Sequence, residues 1–480
     1  MAFVARFGAP EMRMMKLVSS LRSRLQNLTT EVKQRLMDQA PAVFKDVIVT
    51  VVGAMLFRRR RGREFRESAI RWNSTRELPR GDLLKIQTDR THEIISHAST
   101  RSRYYAAKYA PVSSRELADL PILEKEELRA HIEDIVIRGG GKLRKCYTGG
   151  TTGKSLVVFS SADSDGERFA RQEAMWAMHG YKLGRDRIAW FSGRHLIGAN
   201  DVSAHRFWRN NFLERIRYYS TFHMAPSTLP YYVEDLAKFR PRFLSGFPSA
   251  IGELARFIEM TEPARTFDLQ AIFTTSETLT GSQRDVMERV FNCPVRNQYA
   301  SSEGAPFIME CQQGRLHIDV TSGVFEVIDA DDQPTSDGEV LVTSFYMKQT
   351  PLIRYRIGDR LSLSQEVGCP CGWDTPLAAA IEGRESDFLE IPGRGKIFAA
   401  QIGDCVKHLH WVIAFRCRLQ DGRLRIEMVA DRVRFEKEDL STFLRNISER
   451  MGDIPVDLEY LDELPRLPSG KRSVIASINQ

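Results

Sequence analysis

From residue 145 onward, short apolar runs alternate with amphipathic stretches, and this alternation constrains the fold more than any other feature of the chain. The runs at 187–191 (RIAWF) and 271–273 (AIF) have the length of buried strands, whereas 231–238 carries apolar residues at helical spacing. Strands that alternate with helices pack as layers, so an α/β fold with helices covering a sheet is expected. Residues 323–363 are richer in strands, with GVFEVID, GEVLVTSF and RLSLS separated by turn residues. A final block has strands at 415–419 and 424–429 and a helix at 437–450, enough for a small α+β domain. Residues 10–37 and 82–108 also show helical spacing. Three parts are therefore expected: a mostly helical N-terminal extension (1–110), a large multi-layer α/β domain (111–385) and the small C-terminal domain (386–480). A chain of 480 residues exceeds what one hydrophobic core organises.

Charge is unevenly placed. Residues 1–110 hold 22 Lys/Arg against 10 Asp/Glu, a surplus of 12, so the remaining 370 residues carry a net −5 within the total of +7. The surplus concentrates in Arg58, Arg59, Arg60, Arg61, Arg63 and Arg66, beside the longest apolar run (47–57, 11 residues). Such a cluster is either a solvated helical face or a contact for an anionic membrane or acidic partner. Nucleic acid is not expected as a partner, because no recognition motif accompanies the charge. The apolar run is well short of the roughly 20 residues that span a bilayer, and it lies too far from residue 1 for a secretory signal. Seven cysteines in so long a chain do not make a disulfide framework. A cytoplasmic protein is expected.

The segment Thr148-Gly149-Gly150-Thr151-Thr152-Gly153-Lys154-Ser155 invites comparison with a P-loop, but the spacing fails. A P-loop needs glycine five residues before its Gly-Lys pair, and Thr148 stands there. The following LVVFSS reads as a strand, where a P-loop opens a helix. The composition still suits phosphate: three glycines let the backbone approach closely, three threonines supply hydroxyls, and Lys154 adds charge.

This loop is followed, in order, by MHGYKLGRDR (178–187), PRFLSGFPS (241–249), TTSETL (274–279), YASSEG (299–304), TPLIRYRIGD (350–359), IEGRESD (381–387) and LPRLPSGK (464–471). The series resembles the adenylate-forming (ANL) superfamily, in particular its phenylacetate–CoA ligase branch and the CapK-like polysaccharide-biosynthesis relatives. The resemblance implies an enzyme that uses ATP and Mg²⁺ to convert a small carboxylic acid to its acyl-AMP, then passes the acyl group to CoA or a carrier-protein thiol. It implies that Glu303 holds Mg²⁺, Ser302 touches phosphate and Tyr299 stacks on adenine. Asp359 would accept hydrogen bonds from the ribose hydroxyls, and Arg384 would contact ribose or phosphate beside an interdomain hinge. The same likeness puts Ser276 and Glu277 of TTSETL at the nucleotide, Phe247 and Pro248 in the acyl pocket, and Lys471 as the catalytic cation. Core packing is an equal reading for Phe247 and Pro248. Two further functions stay open: acyl or adenylyl transfer in polysaccharide or secondary-metabolite assembly, and a non-catalytic scaffold of the same fold. Four retained polar residues (Glu303, Asp359, Arg384, Lys471) argue against the scaffold.

The pattern departs from the family at three places. Ala300 follows Tyr299 where glycine is usual, Ser386 precedes Asp387 at the hinge, and the loop around Lys396 and Ala399 lacks the asparagine and proline of close relatives. The last two bear on transfer to a thiol rather than on adenylation. Separately, Cys369 and Cys371 form a CxC turn, and Cys311 and His317 flank a Gln-Gln-Gly turn. Four such ligands suit tetrahedral structural Zn²⁺; reduced, partly buried thiols are the alternative. Cys146, Cys293, Cys405 and Cys417 read as small core residues.

Overall fold

The computed structural model describes residues 40–476 except 115, 140, 148–155, 385–387, 393 and 468, and leaves the side chains of 382–384 and 400 undescribed. The described strands, in chain order, are β1 (Arg144–Tyr147), β2 (Val157–Ser160), β3 (Ile188–Ser192), β4 (Trp208–Asn211), β5 (Ile216–Ser220), β6 (Phe243–Gly246), β7 (Ala271–Thr275), β8 (Val295–Tyr299), β9 (Ile308–Glu310) and β10 (Leu316–Ile318). They continue as β11 (Gly323–Ile328), β12 (Asp337–Ser344), β13 (Tyr355–Leu363), β14 (Leu377–Arg384), β15 (Phe388–Ile391), β16 (Gly395–Phe398), β17 (Val412–Gln420), β18 (Arg423–Ala430) and β19 (Val456–Tyr460).

Twelve of them form one sheet in the order β11-β12-β13-β14-β10-β9-β8-β7-β6-β3-β5-β4. The sheet has two characters. β5, β3, β6, β7 and β8 run parallel, because each step from β6 to β8 is carried by a crossover helix, Pro248–Thr261 and then Gly281–Phe291. Beyond β8 every pairing is antiparallel. The first helix starts on Pro248, whose fixed φ suits the opening turn. The second starts on a Thr280–Gln283 capping box and ends on left-handed Asn292. The alternation at 187–191, 231–238 and 271–273 appears as β3, helix Leu229–Phe239 and β7. The C-terminal helix begins at Leu440, three residues later than its spacing predicts, after a π turn over Phe435–Asp439.

Apolar residues gather in three cores. One joins Trp72, Ile95 and Tyr105 of the N-terminal helices to the sheet face containing Ile188 and Phe273. A second fills the opposite face around Leu244, Leu254 and Ile272, and takes in Ile413, Val429 and Leu464 from the C-terminal part. The third lies within 389–475 and packs β17 and β18 against helix Leu440–Met451. Cys146, Cys293, Cys405 and Cys417 are buried, as their isolation in sequence suggests.

The expected helix at 10–37 lies outside the described residues. The apolar run at 47–57 sits on helix Ala42–Arg60. Its basic cluster divides between inside and outside. Arg59 approaches Asp165 at 3.8 Å, Arg60 covers the Phe169 ring at 4.1 Å, and Arg61 pairs with Glu173 and Glu214, while Arg58, Arg63 and Arg66 stay exposed. Among the described residues no helix is long and apolar enough to cross a membrane.

Candidate active site

Parallel strands leave a crevice beyond their carboxyl ends, where the connecting loops diverge. Here the segments leaving β6, β7 and β8 supply Ser249, Ser276–Glu277 and Ala300–Glu303 to a cleft of about 280 Å³. Asp359 reaches it from β13 in the antiparallel half, and Lys471 from the C-terminal part. Ser276, Glu277, Tyr299, Ser302, Glu303, Asp359 and Lys471, far apart in sequence, thus share one lining. The Tyr299 hydroxyl donates to the Asp359 carboxylate at 2.6 Å, joining the two halves of the sheet. Asp359 also stands opposite Arg384 in the β13–β14 register. Glu303 is buried yet lines the cleft, which suits a carboxylate holding a hard divalent cation. The next residue must be glycine: Gly304 has φ 101°, and a Cβ there would fall 2.2 Å from the Met347 side chain.

Ser276 is also left-handed (φ 72°), and its carbonyl accepts from the Lys471 ammonium. Glu277 accepts from the Ser249 amide (3.0 Å) and hydroxyl (3.1 Å) at the start of helix Pro248–Thr261, and from the Arg472 amide at 3.1 Å. Its carboxylate thus ties together three segments around the cleft. The loop carrying Lys471 is a closed turn, with the Gly470 amide donating to the Leu467 carbonyl at 2.8 Å and the Leu467 amide to the Lys471 carbonyl at 2.9 Å. It sits against Gly193, where a Cβ would fall 1.7 Å from the Ser469 carbonyl oxygen. The glycine pair therefore serves close approach.

Four residues that the motifs do not single out fix this arrangement. Arg466 and Arg472 both pair with Glu253, at 2.5 and 3.0 Å, all three side chains being buried. Arg256, one turn further along the same helix, donates to the Leu409 and Val412 carbonyls at 3.3 Å each, and burial pushes its pKa down to about 10. Burial also lowers Arg472, with Glu253 opposing the shift. Arg466 and Arg472 flank LPSGK and could have been suspected. Glu253 and Arg256 carry no local signal.

The glycine-rich loop Thr148–Ser155 lies outside the described residues, and so does the side chain of Arg384. β1 and β2 flank the loop as an antiparallel pair, Tyr147 opposite Val157; the segment after the loop is a strand, as expected, which a P-loop does not allow. Phe247 is half-buried against the second core, and the Lys471 ammonium lies 5.8 Å from its ring centre. Pro248 is buried as the first residue of its helix.

The two cysteine-containing turns also meet. The ligand atoms of Cys311, His317, Cys369 and Cys371 lie within 4.8 Å of one another. Cys311 and Cys369 sulfurs are 3.7 Å apart, and the Cys371 sulfur is 3.4 Å from His317 Nε2. A tetrahedral Zn²⁺ with ordinary Zn–S bonds spaces its sulfurs by about 3.8 Å, so the residues fit the metal. His317 Nδ1 is held by Thr375 at 3.0 Å, which turns Nε2 toward the cysteines. Its ring stacks on Trp373, which meets Trp72 edge-on. The cluster thus borders the N-terminal helices and shares no residue with the cleft lining.

No family model matches the chain. It is 29% identical over 445 residues to Protein CapK of Staphylococcus aureus, covering 91% of this chain and 97% of that one. Its fold is similar to that of a 2-hydroxyisobutyryl-CoA ligase in the postadenylation state in complex with R3-HIB-AMP, with TM-score 0.68, 18% identity, and 84% and 92% of the two chains covered. The same ligase with 2-HIB-AMP and CoA in the thioesterification state gives TM-score 0.52 at 18% identity, over 84% and 91%.

Proposed function

We infer that this CapK-like chain, which has the fold of the adenylate-forming superfamily, activates a carboxylic acid with ATP as its acyl-AMP and transfers the acyl group to a thiol, with CoA as the first candidate. The observation that carries this reading is the shared lining of Tyr299, Ser302, Glu303, Asp359 and Lys471 in one cleft. In the first half-reaction a carboxylate oxygen forms a bond to the α-phosphorus of ATP, and the bond from that phosphorus to the bridging oxygen of pyrophosphate breaks. Two anions must meet, so positioning and charge neutralisation are the tasks the residues perform. In this reading Lys471 brings its ammonium to the oxygens that gain charge, while Asp359, held by Tyr299, orients the ribose. Glu303 would hold Mg²⁺, which when bound neutralises phosphate oxygens. Arg384 and the Thr148–Ser155 loop would complete the nucleotide contacts, and Phe247 would border the acyl group. In the second half-reaction a thiol sulfur bonds to the acyl carbon, losing its proton, and AMP leaves.

A structural Zn²⁺ at Cys311, His317, Cys369 and Cys371 belongs to the same proposal as a brace between strands and loop. A pyrophosphate-release screen over a panel of carboxylic acids, with and without CoA, tests the function. Release with at least one acid, and a thioester when CoA is present, is expected. Release with no dependence on any acid would overturn the reading.

A further inference from the structure

Independently of the cleft, helix Ala42–Arg60 and the β4–β5 turn present a surface that the other described residues leave uncovered. Of the large apolar side chains exposed among the described residues, four lie on helix Ala42–Arg60: Val43, Phe44, Val47 and Val52. Two more, Phe212 (60% exposed) and Leu213 (47%), form the turn between β4 and β5. The turn lies against the helix, since the Phe212 amide donates to Thr50 Oγ1 at 3.1 Å and Gly53 would collide with Asn211 if it carried a Cβ. Six such side chains together form a patch of the kind that marks a binding face.

The surroundings say which partner fits. Arg58 is exposed in the last turn of the helix and Arg66 on the helix that follows, Arg63–Thr75, and Arg185 and Arg215 are exposed beside the turn, with the Arg215 guanidinium donating to the Arg185 carbonyl at 2.6 Å. Beside the turn the acids face inward, Glu214 being 9% exposed and bound by Asn211 and Asp186 8% exposed and bound by the Lys182 amide, and the acid next to Arg66, Glu67, is paired with Arg63 at 2.6 Å. The face therefore projects positive charge around an apolar centre, the complement of anionic headgroups over acyl chains. The Phe212–Leu213 turn lies at the amino end of β5, while the first turns of the helix reach Asp201 and Arg206, which follow the carboxyl end of β3, so the face runs along the β4 edge of the sheet.

We propose that this face docks the chain on an anionic phospholipid membrane, with Phe44, Phe212 and Leu213 entering the interface and the arginines contacting headgroups. The test is co-sedimentation of the full chain with vesicles of phosphatidylcholine alone or mixed with phosphatidylglycerol. Binding to the mixed vesicles that weakens as salt is raised is expected. Each of Arg58→Gln and Arg66→Gln should lower the partition about fivefold. Phe212→Glu with Leu213→Glu should abolish binding, whereas Val433→Glu, an exposed apolar position outside the patch, should leave it unchanged. Equal binding to both vesicle types, or binding indifferent to the turn variant, would overturn the proposal. So would no sedimentation at all, the result expected if residues 1–39, a second copy or an acidic protein covers the patch.

Discussion

At the scale of single residues, Tyr299 and Asp359 are the pair whose contact matters most, because their hydrogen bond (2.6 Å) joins the parallel and antiparallel halves of the sheet at the cleft. Tyr299→Phe removes a bond to a charged acceptor and frees the carboxylate to turn. An increase of about tenfold in the KM for ATP is expected, and an unchanged KM would remove the pair from the nucleotide site. Glu253 acts differently, since it compensates two buried guanidinium groups. Glu253→Gln should cost about 3 kcal/mol, seen as a lower unfolding midpoint, and an unaltered midpoint would contradict the role. These two residues also mark what could be read from the sequence. Tyr299 stands in a recognisable motif. Glu253 is one acid on an amphipathic helix, and its partner Arg466 is 213 residues away, so no window of sequence contains the interaction.

At the scale of elements, the lysine-bearing turn rests on the backbone of Gly193. Gly193→Ala should push that turn away from the cleft, lowering adenylation while leaving nucleotide binding and overall folding intact; full activity would show that the turn is not needed in this position. The Cys/His turns give another prediction. One zinc per chain is expected by elemental analysis, with Cys371→Ala losing it and unfolding at lower temperature, and metal-free wild-type protein would end the proposal. Strands and crossover helices were legible because hydrophobic period and turn residues are local properties. The switch from parallel to antiparallel pairing at β8 and β9 was not, because β10 pairs with β14 across about 60 residues and pairing partners leave no mark in either strand. Likewise, the division of Arg58, Arg59, Arg60 and Arg61 between buried ion pairs and surface depends on acids from helix Ala162–Met178 and the β4–β5 turn.

At the scale of the whole molecule, the N-terminal helices are bound to the main body by buried charge. Glu167 sits between Arg90 and Arg171; burial alone would raise its pKa, but the two guanidinium groups outweigh it and bring the value down from 4.5 to about 2. A folded-state value below the unfolded one means that the stabilisation is complete above about pH 4.5 and is lost as pH falls toward 2. Unfolding free energy should therefore decline over that window, and Glu167→Gln should flatten the decline; an unchanged slope would contradict this. In the proposed function, loops from distant parts of the chain converge to join a carboxylate to the α-phosphate of ATP. Acid-dependent exchange of labelled pyrophosphate into ATP measures that step directly. With a suitable acid the wild-type chain should exchange label, and Lys471→Ala should be slower by at least about a hundredfold while still binding ATP. Exchange that proceeds equally well in the variant, or without any acid, would contradict the account.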